Sequence, residues 1–329
     1  MKPTILTNMA FWQSPEWMER VESIYKLNPS LGDPQFLPWW QEAWTLFRRK
    51  RGYDIIHTMG IRESFAYAFL CWITGSASRQ IMTEVFIDTP KHTNPIWWAK
   101  TKFYRILARQ CLGVITNSSG EIATNARRFN LPIDRFRYVP LCTTIAQPEF
   151  LSRPAGGLFC AGRTLRDYQT LRKIIDATEL PWIVVGGQGD LDDWDLPDRV
   201  TIYREIQREA YLQLLRDARV VILPLLPTER ATGQVVLLEA MSYGKPVITT
   251  RAPGTIDLVR HGKNGFLTEP GDAPGIQKIL GDLLREPEAC ERIGRQAVQD
   301  VLTNHSVAEH TRKRLDAIEE LFQGIMEPG

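Results

Sequence analysis

The stretch Thr232–Thr250, with the sequence TGQVVLLEAMSYGKPVITT, decides the fold of this chain. Its pattern predicts a glycine-led turn, a short helix with an apolar face, a Gly-Lys-Pro break and a β-branched strand. Gly244 suits the left-handed position that follows a helix end, and Pro246 cannot continue a helix. The strand Val247–Thr250 has the composition of a parallel strand that is covered on both faces. The stretch therefore predicts one helix–strand unit of a parallel α/β sheet.

One residue of this stretch, Glu239, points to a binding site. It stands beside the apolar face of the predicted helix, where an unpaired carboxylate would be costly to bury, so it needs hydroxyl or amide partners. The helix start before it, opened by Gly233, offers N–H groups to an anion. Together these features predict a site for a ligand with phosphates at one end and a diol at the other, such as a nucleotide. The alternative is a buried structural carboxylate.

The stretch and the two segments after it, Ala252–Val259 and Gly262–Leu267, resemble the C-terminal half of the family 4 retaining glycosyltransferases of the GT-B fold. The ordered pattern LEAM, GKPVI, APG and HGKNGFL carries the resemblance. It is strong over about residues 155–275 and weak before them. The resemblance implies two Rossmann-like, doubly wound α/β domains that face each other across a cleft, with the donor on the C-terminal domain and the acceptor on the N-terminal domain.

The alternation of strand and helix patterns along the chain agrees with two parallel sheets. It predicts an N-terminal domain over residues 1–145, in which residues 10–50 are irregular, then a linker and a C-terminal domain over 156–305. The resemblance implies that the first binds the acceptor and the second binds the donor. The resemblance implies that a last helix, over 306–329, crosses back to the N-terminal domain.

Positive charge and tryptophan are concentrated in the N-terminal half. Residues 1–150 contain 18 Lys and Arg against 12 Asp and Glu, and eight of the ten tryptophans lie before residue 99. The aromatic and basic helix predicted over 94–111, together with the basic run Arg48–Arg51, fits an anionic membrane surface as partner. The alternative is a core-facing aromatic stripe with a solvated basic face. The modest charge excess argues against nucleic-acid binding.

Cysteine usage and hydropathy bear on localisation. The five cysteines are scattered and form no pair with zinc spacing, which indicates reduced thiols in a cytoplasmic protein. The N-terminus lacks the pattern of a signal peptide. The longest apolar run, Phe65–Ile73, is shorter than the roughly 20 residues that span a bilayer. We therefore expect a cytoplasmic protein, with peripheral attachment to the inner membrane face as an option.

A turn that begins at Gly162 follows a predicted strand and carries two arginines. Gly162 lets the chain turn, and Arg163 and Arg166 are close enough in sequence to reach one pyrophosphate. The resemblance implies a basic pair here that holds the donor diphosphate and stabilises the leaving group. Arg163 matches this pair directly, whereas Arg166 is offset from the usual lysine. The alternative is a pair of surface arginines bound to Asp167 or Glu179.

The resemblance also assigns roles around Glu239. This residue matches the second glutamate of the E-x(7)-E pattern of the family, which binds the nucleotide ribose. The first glutamate would fall on Ala231, and Glu229 is a candidate substitute. The predicted donor-binding residues are Gly162, Arg163, Arg166, Gly233, Gln234, Val235, Glu239 and Glu229.

The predicted catalytic residues are Arg163, Arg166 and a third candidate, Glu84, which comes from the N-terminal half. The family often has a histidine at about the position of Glu84, close to the reacting sugar. His57, at the end of another predicted strand, is interpreted as a core histidine. The glycine-rich turn of the family is replaced after the first strand by the segment Asn8–Trp12.

The resemblance implies a retaining, hexosyltransferase-type glycosyltransferase. It would move sugar from a nucleotide-diphosphate sugar, such as a UDP- or GDP-sugar, to a saccharide, lipid-linked or small-molecule acceptor. No metal and no separate cofactor is expected, because the two arginines would neutralise the leaving group. The alternatives are a GT-B epimerase, or a phosphorylase, which would normally carry a lysine-bound pyridoxal cofactor. A further alternative is a non-catalytic protein that kept the fold, because Ala231 replaces a family glutamate.

Overall fold

The structure is a computed structural model that describes residues 2–10, 14–27, 37–86, 95–153, 155–187 and 196–326. The chain divides into two compact units. Unit 1 consists of Met1–Pro140 and Val307–Gly329, and unit 2 consists of Leu141–Ser306. Each unit contains a six-stranded parallel sheet with helices, so the predicted α/β class is confirmed.

The sheet of unit 1 has the strand order β2-β1-β3-β4-β5-β6, and every pairing in it is parallel. Its strands are β1 (Ile5–Thr7), β2 (Val21–Ser23), β3 (Ile55–Met59), β4 (Gln80–Thr83), β5 (Cys111–Thr116) and β6 (Phe136–Tyr138). Its helices are α1 (Pro15–Arg20), α2 (Ile24–Leu27), α3 (Trp39–Arg49), α4 (Ile61–Ile73), α5 (Pro95–Ala108), α6 (Ile122–Phe129) and α13 (Val307–Met326).

The prediction that residues 10–50 are irregular is wrong for the described part of that segment. Helices α1, α2 and α3 and strand β2 lie within it. Ser14 caps α1, because its hydroxyl accepts a hydrogen bond from the Trp17 amide at 3.2 Å, and Pro15 occupies the first helical position. Trp17 is buried in the core. The prolines and tryptophans of this segment led to the prediction of irregular structure, although Pro15 and Trp17 belong to a short capped helix.

Helix α13 completes the core of unit 1. Leu315, Ile318 and Leu321 on this helix belong to the same buried cluster as Ile5 of β1. Gly113 of β5 lies directly beneath the helix, since a Cβ at this position would collide with the Leu321 side chain. Glycine in β5 therefore permits the close approach of the last helix to the sheet.

The sheet of unit 2 has the order β12-β11-β10-β7-β8-β9 and is also parallel throughout. Its strands are β7 (Leu158–Ala161), β8 (Trp182–Gly186), β9 (Val200–Arg204), β10 (Val220–Leu223), β11 (Val247–Thr250) and β12 (Phe266–Thr268). Its helices are α7 (Tyr168–Asp176), α8 (Arg208–Asp217), α9 (Gln234–Ser242), α10 (Pro253–Ile256), α11 (Ala273–Arg285) and α12 (Pro287–Asn304).

The stretch that decided the fold forms α9 and β11, as predicted. Leu237, Leu238 and Met241 of α9 are fully buried in one cluster of the unit 2 core. Gly244 follows the helix with φ +63°, in the left-handed region. All four residues of β11 are buried, in agreement with a strand covered on both faces.

Unit 2 begins at Leu141, shortly after β6, and its first residues are anchored within the unit. The Thr143 amide donates to the His305 carbonyl at 2.8 Å, and its hydroxyl lies 2.7 Å from the Ser242 hydroxyl. Ile145 is buried in the same cluster as the α9 leucines. This anchoring brings Thr144, which lies between them in sequence, to a fixed place beside α9.

Candidate functional site

A cavity of about 310 Å³ opens in unit 2 at the carboxyl ends of three neighbouring strands, β7, β8 and β9. The carboxyl edge of a parallel sheet is where doubly wound folds bind their ligands. The start of α9 closes another side. The lining residues are Gly162, Arg163, Val185, Gly186, Glu205, Ile206, Arg208, Tyr211, Val235, Val236 and Glu239.

The turn after β7 places its two arginines differently. Arg163 is exposed and lines the cavity, and it makes no hydrogen bond or ion pair with any described residue. Arg166 is only 7% exposed, and its guanidinium donates to the carbonyls of Ala161 at 2.7 Å and Thr164 at 3.0 Å. The two side chains therefore do not converge as an equivalent pair: Arg163 is available to a ligand, and Arg166 is committed to the backbone.

Arg166 occupies the space between two glycine turns. Gly162 has φ +115°, and a Cβ at this position would collide with the Arg166 guanidinium. Gly233, at the start of α9, is also close to the Arg166 side chain. A Cβ added at Gly233 would lie 3.9 Å from Arg166 Nη1. Burial lowers the pKa of the Arg166 guanidinium, but a guanidinium keeps its charge in proteins. A positive charge thus lies behind both turns without lining the cavity.

The first turn of α9 faces the cavity through Val235 and Val236. Amides in the first turn of a helix lack partners within the helix, and the helix dipole places partial positive charge there. Gly233 precedes the helix with φ +80°. Gln234 is buried and does not line the cavity. The helix start, rather than the Gln234 side chain, is therefore the part that an anion would meet.

Glu239 lines the cavity and is 1% exposed. Its carboxylate accepts hydrogen bonds from the Thr144 hydroxyl at 2.6 Å and the Tyr211 hydroxyl at 2.8 Å. It also forms an ion pair with Arg208 at 2.6 Å, and this arginine reaches the Thr144 hydroxyl at 2.7 Å. A carboxylate has about four lone-pair directions, so three partners leave it capacity for one more hydroxyl.

The environment of Glu239 also fixes the state of Tyr211. Burial, with the adjacent Glu239 carboxylate, raises the pKa of the Tyr211 phenol well above its ordinary range. Tyr211 therefore remains a neutral hydrogen-bond donor. Its ring also packs near the guanidinium of Arg208, 5.6 Å from the ring centroid.

Three partners of Glu239 were not found from the sequence: Thr144, Arg208 and Tyr211. Arg208 and Tyr211 share a face of α8, three residues apart. That spacing is a usable signal, but their partner lies on a different helix. Thr144 comes from a segment without regular structure. Glu205 and Ile206, which follow β9, also line the cavity.

The remaining predicted donor residue, Glu229, is exposed in the loop between β10 and α9 and does not line the cavity. Ala231, where the first family glutamate would fall, is 9% exposed. The sequence at the end of β8, Gly186–Gly189, is rich in glycine, and its residues Gln188 and Gly189 lie outside the described residues.

Glu84 lies in unit 1, whereas Arg163 and Arg166 lie in unit 2. It directly follows β4 with φ +53°, an uncommon conformation for a residue other than glycine. Its Oε1 accepts a 3.4 Å hydrogen bond from the amide of Asn117, which follows β5. Two polar side chains thus meet at the carboxyl ends of neighbouring strands of unit 1.

His57 of β3 is fully buried, and its Nε2 lies 3.4 Å from Arg314 Nη1 on α13. Burial, with the nearby Arg314 charge, lowers the pKa of His57 well below its ordinary range, so the ring is neutral. Arg314 Nη1 also donates to the Thr83 hydroxyl at 3.2 Å. This arrangement agrees with the interpretation of His57 as a core residue.

The described residues contain no group of three or more His, Cys, Asp or Glu side chains placed to hold a metal ion. Two Asp-x-Asp spacings, Asp190–Asp192 and Asp193–Asp195, occur in the sequence after β8. Both lie outside the described residues.

Residues 164–286 match the family model described as Glycosyl transferases group 1. Over this segment the chain is similar to the group 1 glycosyl transferases, which supports a GT-B glycosyltransferase of the family 4 type. The matched segment includes Arg166 and Glu239 and begins one residue after Arg163.

Curated relatives are similar over part of their length. The chain is 29% identical over 140 residues to the N-acetyl-alpha-D-glucosaminyl L-malate synthase of Bacillus anthracis, covering 40% of this chain and 35% of that protein. It is 27% identical over 190 residues to the D-inositol 3-phosphate glycosyltransferase of Thermobifida fusca, covering 54% and 41%. It is 33% identical over 129 residues to the trehalose phosphorylase of Pleurotus pulmonarius, covering 33% and 17%. The matches thus span less than half the length of each of these relatives.

Solved structures are similar over nearly the whole chain. Anabaena HepE in complex with UDP-glucose superposes with a TM-score of 0.68 at 17% identity, covering 98% of this chain and 100% of that one. A glycosyltransferase from Rickettsia africae superposes with a TM-score of 0.68 at 14% identity, covering 98% and 99%. At these identities the likeness establishes the GT-B fold.

Proposed function

We propose that the protein is a retaining glycosyltransferase that transfers a hexose from a nucleotide-diphosphate sugar to an acceptor hydroxyl without a metal ion. The observation that carries the proposal is the composition of the unit 2 cavity. An unengaged arginine, the start of α9 and a buried carboxylate line one space of about 310 Å³. These are the groups that a diphosphate and a ribose diol require.

Arg163 is proposed to bind the donor diphosphate. Its guanidinium has no competing partner among the described residues, and a guanidinium matches phosphate geometry through two parallel hydrogen bonds. Negative charge develops on the diphosphate as the bond to the sugar breaks. A preorganised cation at that position stabilises the transition state more than the ground state.

The start of α9 is proposed to hold the other side of the diphosphate. Gly233 allows the ligand to approach the backbone, and the amides near Val235 point along the helix axis towards an anion. Arg166, buried behind Gly162 and Gly233, adds a fixed positive charge to both turns. In this proposal Arg166 positions the two turns and does not touch the donor.

Glu239 is proposed to bind the ribose diol. The carboxylate is held by Thr144, Tyr211 and Arg208, so its orientation is set before the ligand arrives. Because Arg208 is 43% exposed, it can move away from the carboxylate when a diol enters. A preorganised acceptor of this kind favours a ligand with two neighbouring hydroxyls.

The match to the family model supports glycosyl transfer, and the names of the relatives support a sugar substrate. We infer that retention follows from attack of the acceptor oxygen on the face that the leaving diphosphate vacates. The acceptor belongs to one of three classes: a saccharide, a lipid-linked sugar or a small molecule. Glu84 remains our candidate for a catalytic group on the acceptor side.

The expectation of a cofactor-free reaction also belongs to this proposal. The residues described as lining the cavity include no lysine that could form a Schiff base with pyridoxal. Arg163 supplies positive charge at the site where a metal ion would otherwise act. The protein is proposed to work in the cytoplasm.

A second candidate, a sugar phosphorylase, is favoured by one observation: the similarity to the trehalose phosphorylase of Pleurotus pulmonarius. A phosphorylase uses inorganic phosphate where a transferase uses a nucleotide diphosphate. The same basic cavity would serve both, so the distinction requires a measurement.

The deciding experiment measures thermal stability and turnover with UDP-, GDP- and ADP-sugars. A ligand at 100 times its Kd should stabilise the fold by about 2.7 kcal/mol. Slow hydrolysis of the stabilising donor, with the anomeric configuration retained in the NMR spectrum of the transferred sugar, is the expected result. A parallel incubation with trehalose and inorganic phosphate tests the second candidate. Formation of glucose 1-phosphate with release of glucose would identify a phosphorylase. Binding without any turnover would identify a non-catalytic protein.

A further inference from the structure

Helices α3, α4 and α5 of unit 1 enclose an open groove of about 750 Å³ with an aromatic lining, which we call the aromatic groove. The tryptophans of α3 that line it are unusually accessible, with Trp39 42%, Trp40 54% and Trp44 48% exposed. Phe69 of α4 and Phe103 of α5 line the other walls and are also exposed. The groove lies in unit 1, and the cavity of the proposed donor site lies in unit 2.

The aromatic side chains form a continuous patch. The rings of Phe69 and Phe103 lie 5.8 Å apart, and Trp72, itself 49% exposed, lies 6.2 Å from each of them. Soluble monomers rarely expose contiguous apolar patches larger than a few hundred Å², and larger patches mark interaction surfaces. Contiguous exposed aromatic side chains of this kind are typical of an interaction surface.

The charges on the same three helices are almost all positive. Lys100 and Arg62 line the groove, and Lys102 lies on α5 within one turn of Lys100. Helix α5 contains no acidic residue in its sequence. The acid of α3, Glu42, is buried and accepts hydrogen bonds from the Asn8 amide and the Tyr25 hydroxyl. The acid of α4, Glu63, is half-buried and follows Arg62 in sequence. The three helices hold six Lys and Arg against these two acids, so the groove presents aromatics together with an excess of positive charge.

We propose that the aromatic groove docks on an anionic phospholipid bilayer. Tryptophan and tyrosine are favoured at the membrane–water interface, where the ring enters the acyl boundary and the polar edge remains hydrated. Lysine and arginine beside them contact anionic headgroups. No described helix is long and apolar enough to cross a membrane, so the contact is interfacial.

A second copy of the chain fits this surface less well. A twofold contact would place the same patch on both partners. Lys100, Lys102 and Arg62 of one copy would then face the same cations of the other, and among α3, α4 and α5 only the half-buried Glu63 could offset them. An anionic surface satisfies both the aromatic and the cationic groups.

The test measures cosedimentation of the full chain with vesicles of phosphatidylglycerol and of phosphatidylcholine. We expect retention by the anionic vesicles at low ionic strength, and release as salt rises. The charge reversal Arg62→Glu, Lys100→Glu and Lys102→Glu in one protein should weaken partitioning by at least ~100-fold, since each cation near such a surface contributes about 1 kcal/mol. Arg105 is left unchanged, because its Nε donates to the Arg128 carbonyl at 2.8 Å and its loss would disturb α5 and α6.

A matched control reverses three exposed cations of unit 2: Lys263→Glu, Lys278→Glu and Arg292→Glu. This variant has the same net charge as the groove variant and should still bind. A second variant, Trp40→Ser with Trp44→Ser, should lose vesicle binding while the protein keeps its melting temperature. Stabilisation of each variant by nucleotide reports on unit 2, so failure of the proposed donor site would be seen separately.

Three results would overturn the proposal. The first is equal retention by phosphatidylcholine and phosphatidylglycerol, because the cations would then have no role. The second is vesicle binding by the groove variants at the level of the wild-type protein. The third is a dimer in solution that the tryptophan variant dissociates and that does not bind vesicles, which would make the groove a contact between copies of the chain.

Discussion

The Tyr211 hydroxyl donates a 2.8 Å hydrogen bond to the buried carboxylate of Glu239, across the space between α8 and α9. This hydrogen bond holds Glu239 in place on the wall of the unit 2 cavity. Both residues line the cavity, so either could contact a ligand. Substituting each residue alone distinguishes the role of the tyrosine hydroxyl from the role of the carboxylate.

Tyr211→Phe should destabilise the fold by about 1–3 kcal/mol, because a buried carboxylate loses a donor. Nucleotide affinity should change less than threefold, since the Thr144 hydroxyl still holds Glu239 after Arg208 moves away from the carboxylate. The high pKa of Tyr211 in the folded state adds a pH dependence. The unfolded phenol ionises near its ordinary pKa of 10.0, so the tyrosine's contribution to stability is complete below pH 10 and falls as pH rises further. Urea unfolding at pH 8 and 11 should therefore show a smaller alkaline loss in the variant. If the variant loses nucleotide affinity as strongly as a change at Glu239, Tyr211 contacts the ligand itself.

Glu239→Gln should weaken nucleotide binding by roughly 10- to 150-fold, because a hydrogen bond to a charged group contributes about 1.5–3 kcal/mol. The glutamine keeps the shape of the side chain, and Arg208, which loses its ion pair, is exposed enough to be hydrated. Isothermal titration with the free nucleoside diphosphate provides the measurement. Titration with the matching 2′,3′-dideoxy nucleotide is the control, and its affinity should not respond to the substitution. An unchanged affinity for the normal nucleotide would leave Glu239 with a structural role only.

The helix–strand unit of α9 and β11 was predictable because its signals are local. The apolar face, Gly244 and Pro246 each act within a few residues of where they stand. The partners of Glu239 were not predictable in this way. Arg208 and Tyr211 reach it from another helix and Thr144 from an irregular segment, so the arrangement depends on packing that no sequence window contains.

The turn after β7 shows the same limit. Arg163 and Arg166 look equivalent in sequence, but the backbone sends them in different directions. Gly162 and Leu165 both have positive φ, at +115° and +54°. These two angles turn Arg166 inward to the backbone carbonyls and leave Arg163 outside. The φ angles of individual loop residues cannot be predicted from the pattern of residue types, so the different directions of the two arginines were not predictable.

Arg163→Ala should lower turnover by at least ~100-fold, comparable to the loss of one preorganised transition-state donor. The melting temperature should stay close to the wild-type value, because this exposed side chain has no described partner to lose. Arg172→Ala is the matched control: it removes a partly exposed arginine of α7 that pairs with Asp176 and does not line the cavity. Turnover of Arg163→Ala within threefold of the wild-type enzyme would remove this residue from the site.

Gly162→Ala should damage stability and nucleotide binding together. The backbone conformation alone costs about 1–3 kcal/mol for a residue with a Cβ, and the new methyl group would collide with Arg166. Gly262→Ala is the control, because Gly262 also has positive φ, at +74°, but no atom lies within 4 Å of its added Cβ. Gly262→Ala should lower the free energy of unfolding only by the cost of a positive φ in a residue with a Cβ, and it should leave nucleotide binding intact. Equal behaviour of the two variants in thermal melts and titrations would show that Arg166 yields easily and does not position the two turns.

Activity should survive excess EDTA, because Arg163 and the start of α9 supply the positive charge that the leaving diphosphate needs. The Asp-x-Asp spacings at Asp190–Asp192 and Asp193–Asp195 make this a demanding test, since paired carboxylates after a strand can hold a divalent cation. Turnover is measured with the stabilising nucleotide sugar before and after chelation, and again after addition of magnesium or manganese. The double variant Asp190→Asn with Asp192→Asn should retain wild-type turnover in all three conditions. Loss of activity with EDTA that manganese restores in the wild-type protein, but not in this variant, would place the leaving group on a metal held by these aspartates.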